Sequence, residues 1–194
     1  MKKTIIVIAA IIATVSGVLI ACTGAPKGIN AESISKDSLI KRGDYLVTAM
    51  GCDDCHTPKK MGPKGPEFDL EHRYAGHLAD SKMGKADLSV MKNGWVLFSM
   101  LGTATVGPWG MSFAANITSD ATGIGNWTEE QFFTAMRKGK YKGLEESRPL
   151  LPPMPWQAFA KLNDTDIKAI FAYLKSTKPV NNLVPAAVPL QDLK

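Results

Sequence analysis

Five consecutive residues, Cys52-Asp53-Asp54-Cys55-His56, constrain this chain more than any others in it. Two thiols three positions apart can add to the two vinyl groups of a single haem, and the next residue then lies against the iron as proximal ligand. Rival chemistries fit the same residues less well. A redox disulfide between Cys52 and Cys55 wants a βαβ context, which the flanks do not offer. Cys52-x₂-Cys55-x₁₆-His72-x₄-His77 approaches the spacing of a Cys₂His₂ zinc site, but it leaves His56 without a role. Haem attachment through Cys52 and Cys55, with His56 on the metal, is the favoured reading.

The remaining cysteine has its own context. Lys2 and Lys3 precede an almost unbroken apolar run from Ile5 to Ile20, the pattern of an export signal. The run ends at Leu19-Ile20-Ala21-Cys22, which resembles the lipobox of bacterial lipoproteins: the peptide is cut before Cys22, and Cys22 receives a diacylglycerol. Acyl chains add about 0.8 kcal/mol per buried CH₂, so two or three hold a protein on a membrane. An uncleaved anchor helix is the alternative, since the segment barely reaches spanning length. Either way the rest of the chain lies outside the cytoplasm, where free thiols tend to oxidise and haem attachment protects Cys52 and Cys55. Residues 1–21 are thus expected to be a lipoprotein signal and residues 22–37 a flexible tether, being small, polar and without an apolar period.

A length of 194 residues suits one domain with an appendage, and 45% hydrophobic content is too high for a disordered chain. The net charge of +5 is dispersed and partly belongs to the signal, so it gives no nucleic-acid footprint. Leu39, Gly43, Leu46 and Met50 recur at helical spacing, with Ser38 or Asp37 as cap and Gly51 as stop. Thr128-x-x-Gln131 is a capping box ahead of a helix over Glu129–Lys138. Ile167, Ile170, Phe171 and Leu174 form a last apolar face behind Asn163 or Asp164. Between the haem motif and the middle helix, alternation at Val96 and Phe98 permits a short strand.

Helix, haem motif, long loop, helix, Met-Pro loop and helix resemble the single-haem c-type cytochrome domain. Asn116-Ile117-Thr118-Ser119-Asp120, Thr122-Gly123-Ile124-Gly125-Asn126-Trp127-Thr128, Leu151-Pro152-Pro153-Met154-Pro155-Trp156 and Ala172-Tyr173-Leu174-Lys175-Ser176 are similar to haem domains of the cytochrome subunits of membrane-bound alcohol and gluconate dehydrogenases. Those subunits string three such domains together, whereas this chain has one. The resemblance implies an all-α cytochrome c fold over residues 38–180, with an insertion at about 61–110 and a tail at 181–194. It implies that the first and last helices cross where Gly43 meets Phe171 or Tyr173. It also implies a carbonyl of Pro63 or Pro66 as the acceptor that orients His56, and a Trp127 indole N–H on a haem propionate. Arg73, Arg137 and Arg148 are further candidates to neutralise propionates.

Haem iron in electron carriers takes a second axial residue, and methionine opposite histidine raises the reduction potential. Met154 is the favoured ligand because its prolines lower the entropy lost in holding a weak thioether at iron. Met111, His77 and His72 are the alternatives. The whole reads as a membrane-tethered carrier of single electrons with one covalently bound haem c, lipid-anchored and facing the periplasm or cell exterior. Its expected partners are redox proteins, a donor dehydrogenase or an acceptor oxidase. It is not expected to be an enzyme, since no distal acid/base constellation accompanies the motif. The alternatives are an accessory subunit of a larger dehydrogenase or oxidase, and a haem sensor with an open iron site.

Overall fold

The structure is a computed structural model that describes residues 35–193; the predicted signal, Cys22 and nearly all of the predicted tether lie outside them. Helix α1 (Lys36–Ala49) begins two residues inside the predicted tether, because Ser35, not Ser38 or Asp37, is its cap: the Ser35 side chain accepts from the Ser38 amide at 3.2 Å. Gly51 then takes the left-handed conformation at φ 70°, which separates α1 from the single-turn helix α2 (Cys52–His56). A side chain at Gly51 is disfavoured twice over, since its Cβ would also meet the Asp54 carboxylate.

The middle helix α3 (Glu129–Lys138) has the boundaries its capping box predicts. Thr128 Oγ1 accepts from the Gln131 amide, and the Gln131 side chain accepts from the Thr128 amide at 2.9 Å. A short α4 (Trp156–Phe159) leads to α5 (Asp164–Leu174), capped by Asn163. Helices α1 and α5 pack against each other at Gly43, where an added Cβ would overlap the Ala169 carbonyl and the Tyr173 Cβ. Arg42 and Asp166 form an ion pair across the same crossing. Val47, Ile167, Ile170, Leu174, Phe132 and Met136 join Tyr74 and Ile124 in one buried core.

The all-α expectation is overturned. Strands β1 (Lys59–Gly62) and β2 (Gly65–Phe68) form an antiparallel hairpin directly after α2, in register Lys59↔Phe68 and Gly62↔Gly65. A second antiparallel sheet has the order β3-β4-β5: β3 (Leu97–Phe98), β4 (Ala104–Gly107) and β5 (Gly110–Phe113). Its registers are Leu97↔Val106 and Ala104↔Phe113. The physical reason is that these residues have no helical apolar stripe, yet β4 is buried at all four positions. Buried backbone needs partners, and antiparallel ladders closed by the two-residue turns Pro63-Lys64 and Pro108-Trp109 supply them. The strand expected near Val96 and Phe98 is β3, the edge of this sheet.

The tail is fixed in place. Met111 and Val188 exchange backbone hydrogen bonds at 2.8 and 2.9 Å, so the tail lies against β5. Buried Asn182 donates to the Ala75 and His77 carbonyls and accepts from the Ala79 amide. Among the described residues no helix is long and apolar enough to cross a membrane.

Candidate functional site

Helix α2 presents Cys52, Cys55 and His56, all half-buried, on one turn. Neither thiol is bridged. Burial pushes the Cys52 thiol up to about 11, and the neighbouring Asp53 charge adds to the effect. Burial and Asp54 likewise raise Cys55, against the pull of Lys59. Desolvation lowers the His56 pKa, while the Ala115 carbonyl and the Asp53 charge oppose it; the ring is therefore neutral at physiological pH.

His56 Nδ1 lies 2.7 Å from the Ala115 carbonyl oxygen. A carbonyl only accepts, so Nδ1 carries the proton and Nε2 keeps its lone pair for a metal. The orienting acceptor is thus Ala115, not Pro63 or Pro66. Those two prolines belong to the β1–β2 hairpin, which the expected open loop did not include. Ala115 is brought there by its neighbours: the His77 amide donates to the Ala114 carbonyl at 2.9 Å, and the Ile117 amide to the Tyr74 carbonyl at 2.9 Å. The Gly76 amide in turn donates to the His56 carbonyl at 2.8 Å, closing the segment around α2.

A clamp that the sequence did not reveal holds the same helix. Asp53 accepts two hydrogen bonds from Arg73, at 2.9 and 2.7 Å, one from Thr57 at 2.7 Å and one from the Tyr74 hydroxyl at 3.1 Å. Tyr74 is fully buried with φ 65°, a conformation that costs a bulky residue about 1–3 kcal/mol. Its amide bonds to Thr57 Oγ1, and its ring meets Tyr173 edge-on at 6.2 Å, which together hold it there. The one legible signal was an acidic residue inside a half-buried turn, which requires a cation nearby.

The other candidates divide. Met154 and Trp127 are half-buried and pack on the same core cluster as Cys52. Met111 lies in β5, bonded through its backbone to Val188. His77 is buried, shares a hydrogen bond with Thr103 at 2.9 Å and stacks on Phe113 at 4.7 Å. His72 donates to Asp69 at 2.7 Å. Among the described residues no group of three or more His, Cys, Asp or Glu side chains could hold a metal ion, so the Cys₂His₂ alternative is not assembled. Arg73 is engaged by Asp53, Arg137 by Asp164 and the Ala160 carbonyl, and Arg148 lies over the Tyr141 ring.

A family model described as cytochrome c matches residues 40–178. The chain belongs to the cytochrome c family. It is 30% identical over 171 residues to the cytochrome c subunit of alcohol dehydrogenase (quinone) of Gluconobacter oxydans, covering 87% of this chain and 27% of that one. It is 31% identical over 144 residues to the gluconate 2-dehydrogenase cytochrome c subunit of Pantoea cypripedii, covering 74% and 24%. It is also 31% identical over 144 residues to the fructose dehydrogenase cytochrome subunit of Gluconobacter japonicus, covering 73% and 22%. The chain therefore spans about a quarter of the length of these relatives. Haem c is the cofactor of the cytochrome c family, and the residues of this cytochrome c domain fit it: two unbridged thiols on one turn, and an imidazole with its outer nitrogen free.

Proposed function

We propose that this chain is a membrane-tethered carrier of single electrons holding one haem c. Cys52 and Cys55 are its thioether attachments, His56 Nε2 and the Met154 sulfur its axial ligands, and Trp127 a contact for a propionate. The observation that carries the reading is the His56–Ala115 hydrogen bond beside two unbridged thiols, which supports a proximal ligand already fixed in tautomer and direction. Bound there, haem c supplies reversible one-electron chemistry at iron. The chain's own residues orient, bury and select ligands; they make and break no substrate bonds.

Cys22, by its place after Leu19-Ile20-Ala21, is the proposed lipid attachment that holds the domain on the outer side of a bacterial membrane. The relatives' names support a dehydrogenase as electron donor. Intact-mass measurement of the exported protein after acid–organic extraction tests the cofactor reading. The expected mass is that of the lipid-modified chain from Cys22 onward plus one haem; the same mass without haem, with bare thiols, would defeat the proposal.

A further inference from the structure

We propose that Ser112, backed by Trp109, is the positioning residue that holds the Met154 loop. This rests on the reading of Met154 as an axial ligand. Three of the five residues in Leu151-Pro152-Pro153-Met154-Pro155 are prolines and have no backbone N–H. The Met154 amide folds back onto the Leu151 carbonyl at 3.4 Å, within the loop. A segment so short of donors has to be tied down through its carbonyls, by donors from elsewhere. Pro155 is tied at its carbonyl by the start of α4, through the Ala158 amide at 3.0 Å. Upstream, the Leu150 amide donates to the Gly139 carbonyl at 2.6 Å.

Between those two points the tie is Ser112. The hydroxyl of this buried residue of β5 donates to the Pro152 carbonyl at 2.7 Å, two residues before Met154. The Trp109 indole N–H donates to the Ser112 hydroxyl oxygen at 3.2 Å. An indole can only donate and a carbonyl can only accept, so the one hydroxyl proton has a single orientation, toward Pro152. The residues behind it are paired and packed. Ser112 pairs with Thr105 across the β4–β5 ladder, the Trp109 ring packs against Gly107, and Val188 bonds the adjacent Met111. The inserted sheet thereby reaches into the ligand loop from 40 residues upstream and sets where Met154 sits.

The test is titration of the ferric full-length holoprotein with imidazole, which competes with Met154 for iron, followed by the methionine–iron absorption band. Thermal unfolding is measured alongside. Ser112→Ala is expected to bind imidazole about tenfold more tightly than the native protein, the scale of one lost hydrogen bond. Ser112→Thr, which keeps the hydroxyl, stays within about twofold of the native protein, and Trp109→Phe shows a smaller gain of about two- to threefold. If Ser112→Ala binds imidazole as the native protein does while Met154→Ala loses the band, the ligand stands and the positioning role falls. A Ser112→Thr protein as loose as Ser112→Ala also overturns it, because packing rather than the hydroxyl is then responsible. A lowered unfolding temperature without altered imidazole affinity does the same. A Met154→Ala protein with its band intact removes the ligand, and the positioning role with it. Should Ser112→Ala not fold, Trp109→Phe decides: unchanged affinity overturns the proposal.

Discussion

Asp53 is a carboxylate held inside a half-buried helical turn by four donated hydrogen bonds. Burial pushes its pKa up, but donation by Arg73 and Thr57, the Arg73 charge and the Tyr74 hydroxyl outweigh burial, leaving the group below the ordinary aspartate range. A carboxyl more acidic folded than unfolded stabilises the fold above its unfolded pKa, near 3.9, and loses that contribution as pH falls through the folded value. Asp53→Asn should therefore cost about 1–2 kcal/mol at pH 7 and less at pH 3, which lies below the unfolded value. Guanidinium unfolding at the two pH values checks this; an equal deficit at both would mean that the charge is not what matters. At Met154, replacement by Ala should give high-spin ferric iron that binds carbon monoxide once reduced. Replacement by His should lower the potential by about 100 mV or more, the scale of an axial-ligand change. An unaltered low-spin spectrum in Met154→Ala would point instead to Met111, His77 or His72. The C-x-x-C-H motif pointed to the cytochrome c family because its chemistry lies in its own spacing. Ala115 was not legible: a backbone carbonyl 59 residues from His56 leaves no mark on the side chain that carries it.

Among the elements, the α1–α5 crossing is the least forgiving. At Gly43 the neighbours are the Ala169 backbone and the Cβ of Tyr173, neither of which can swing aside. Gly43→Ala should thus destabilise the domain by about 1–3 kcal/mol, as overpacking does, despite alanine's better helix propensity. A denaturation midpoint at or above the native one would show that the helices part more easily than this contact implies. Helices α1, α3 and α5 were readable because caps and a 3.6-residue apolar period act locally: Thr128 with Gln131, Asn163 before Asp164 and Gly51 after α1 are complete within a few residues, whereas the crossing was implied only by the family resemblance. The sheets, apart from β3, were not readable. β1 reads Lys-Lys-Met-Gly, with no β-branched residue, and β4 is buried on both faces, so no alternation exists to betray it. Their pairing is decided by turns and by buried backbone, which a period cannot express.

For the whole molecule, attachment to the membrane is proposed to depend on Cys22 alone. Cys22→Ser should release the haem-loaded domain into the soluble fraction, checked by fractionation and an absorption spectrum; a variant that stays membrane-bound and uncut would indicate an anchor helix instead. The contacts that finish the domain join opposite ends of the chain: Arg42 with Asp166, and Asn182 with Ala75 and His77. A polypeptide emerging N-terminus first exposes Cys52, Cys55 and His56 more than a hundred residues before α5 and Asn182 follow. During that interval neither the α1–α5 crossing nor the lock on residues 75–79 can form. Residues 52–56 are thus made well before the partners that close the domain, Asp166 over Arg42 and Asn182 over Ala75 and His77.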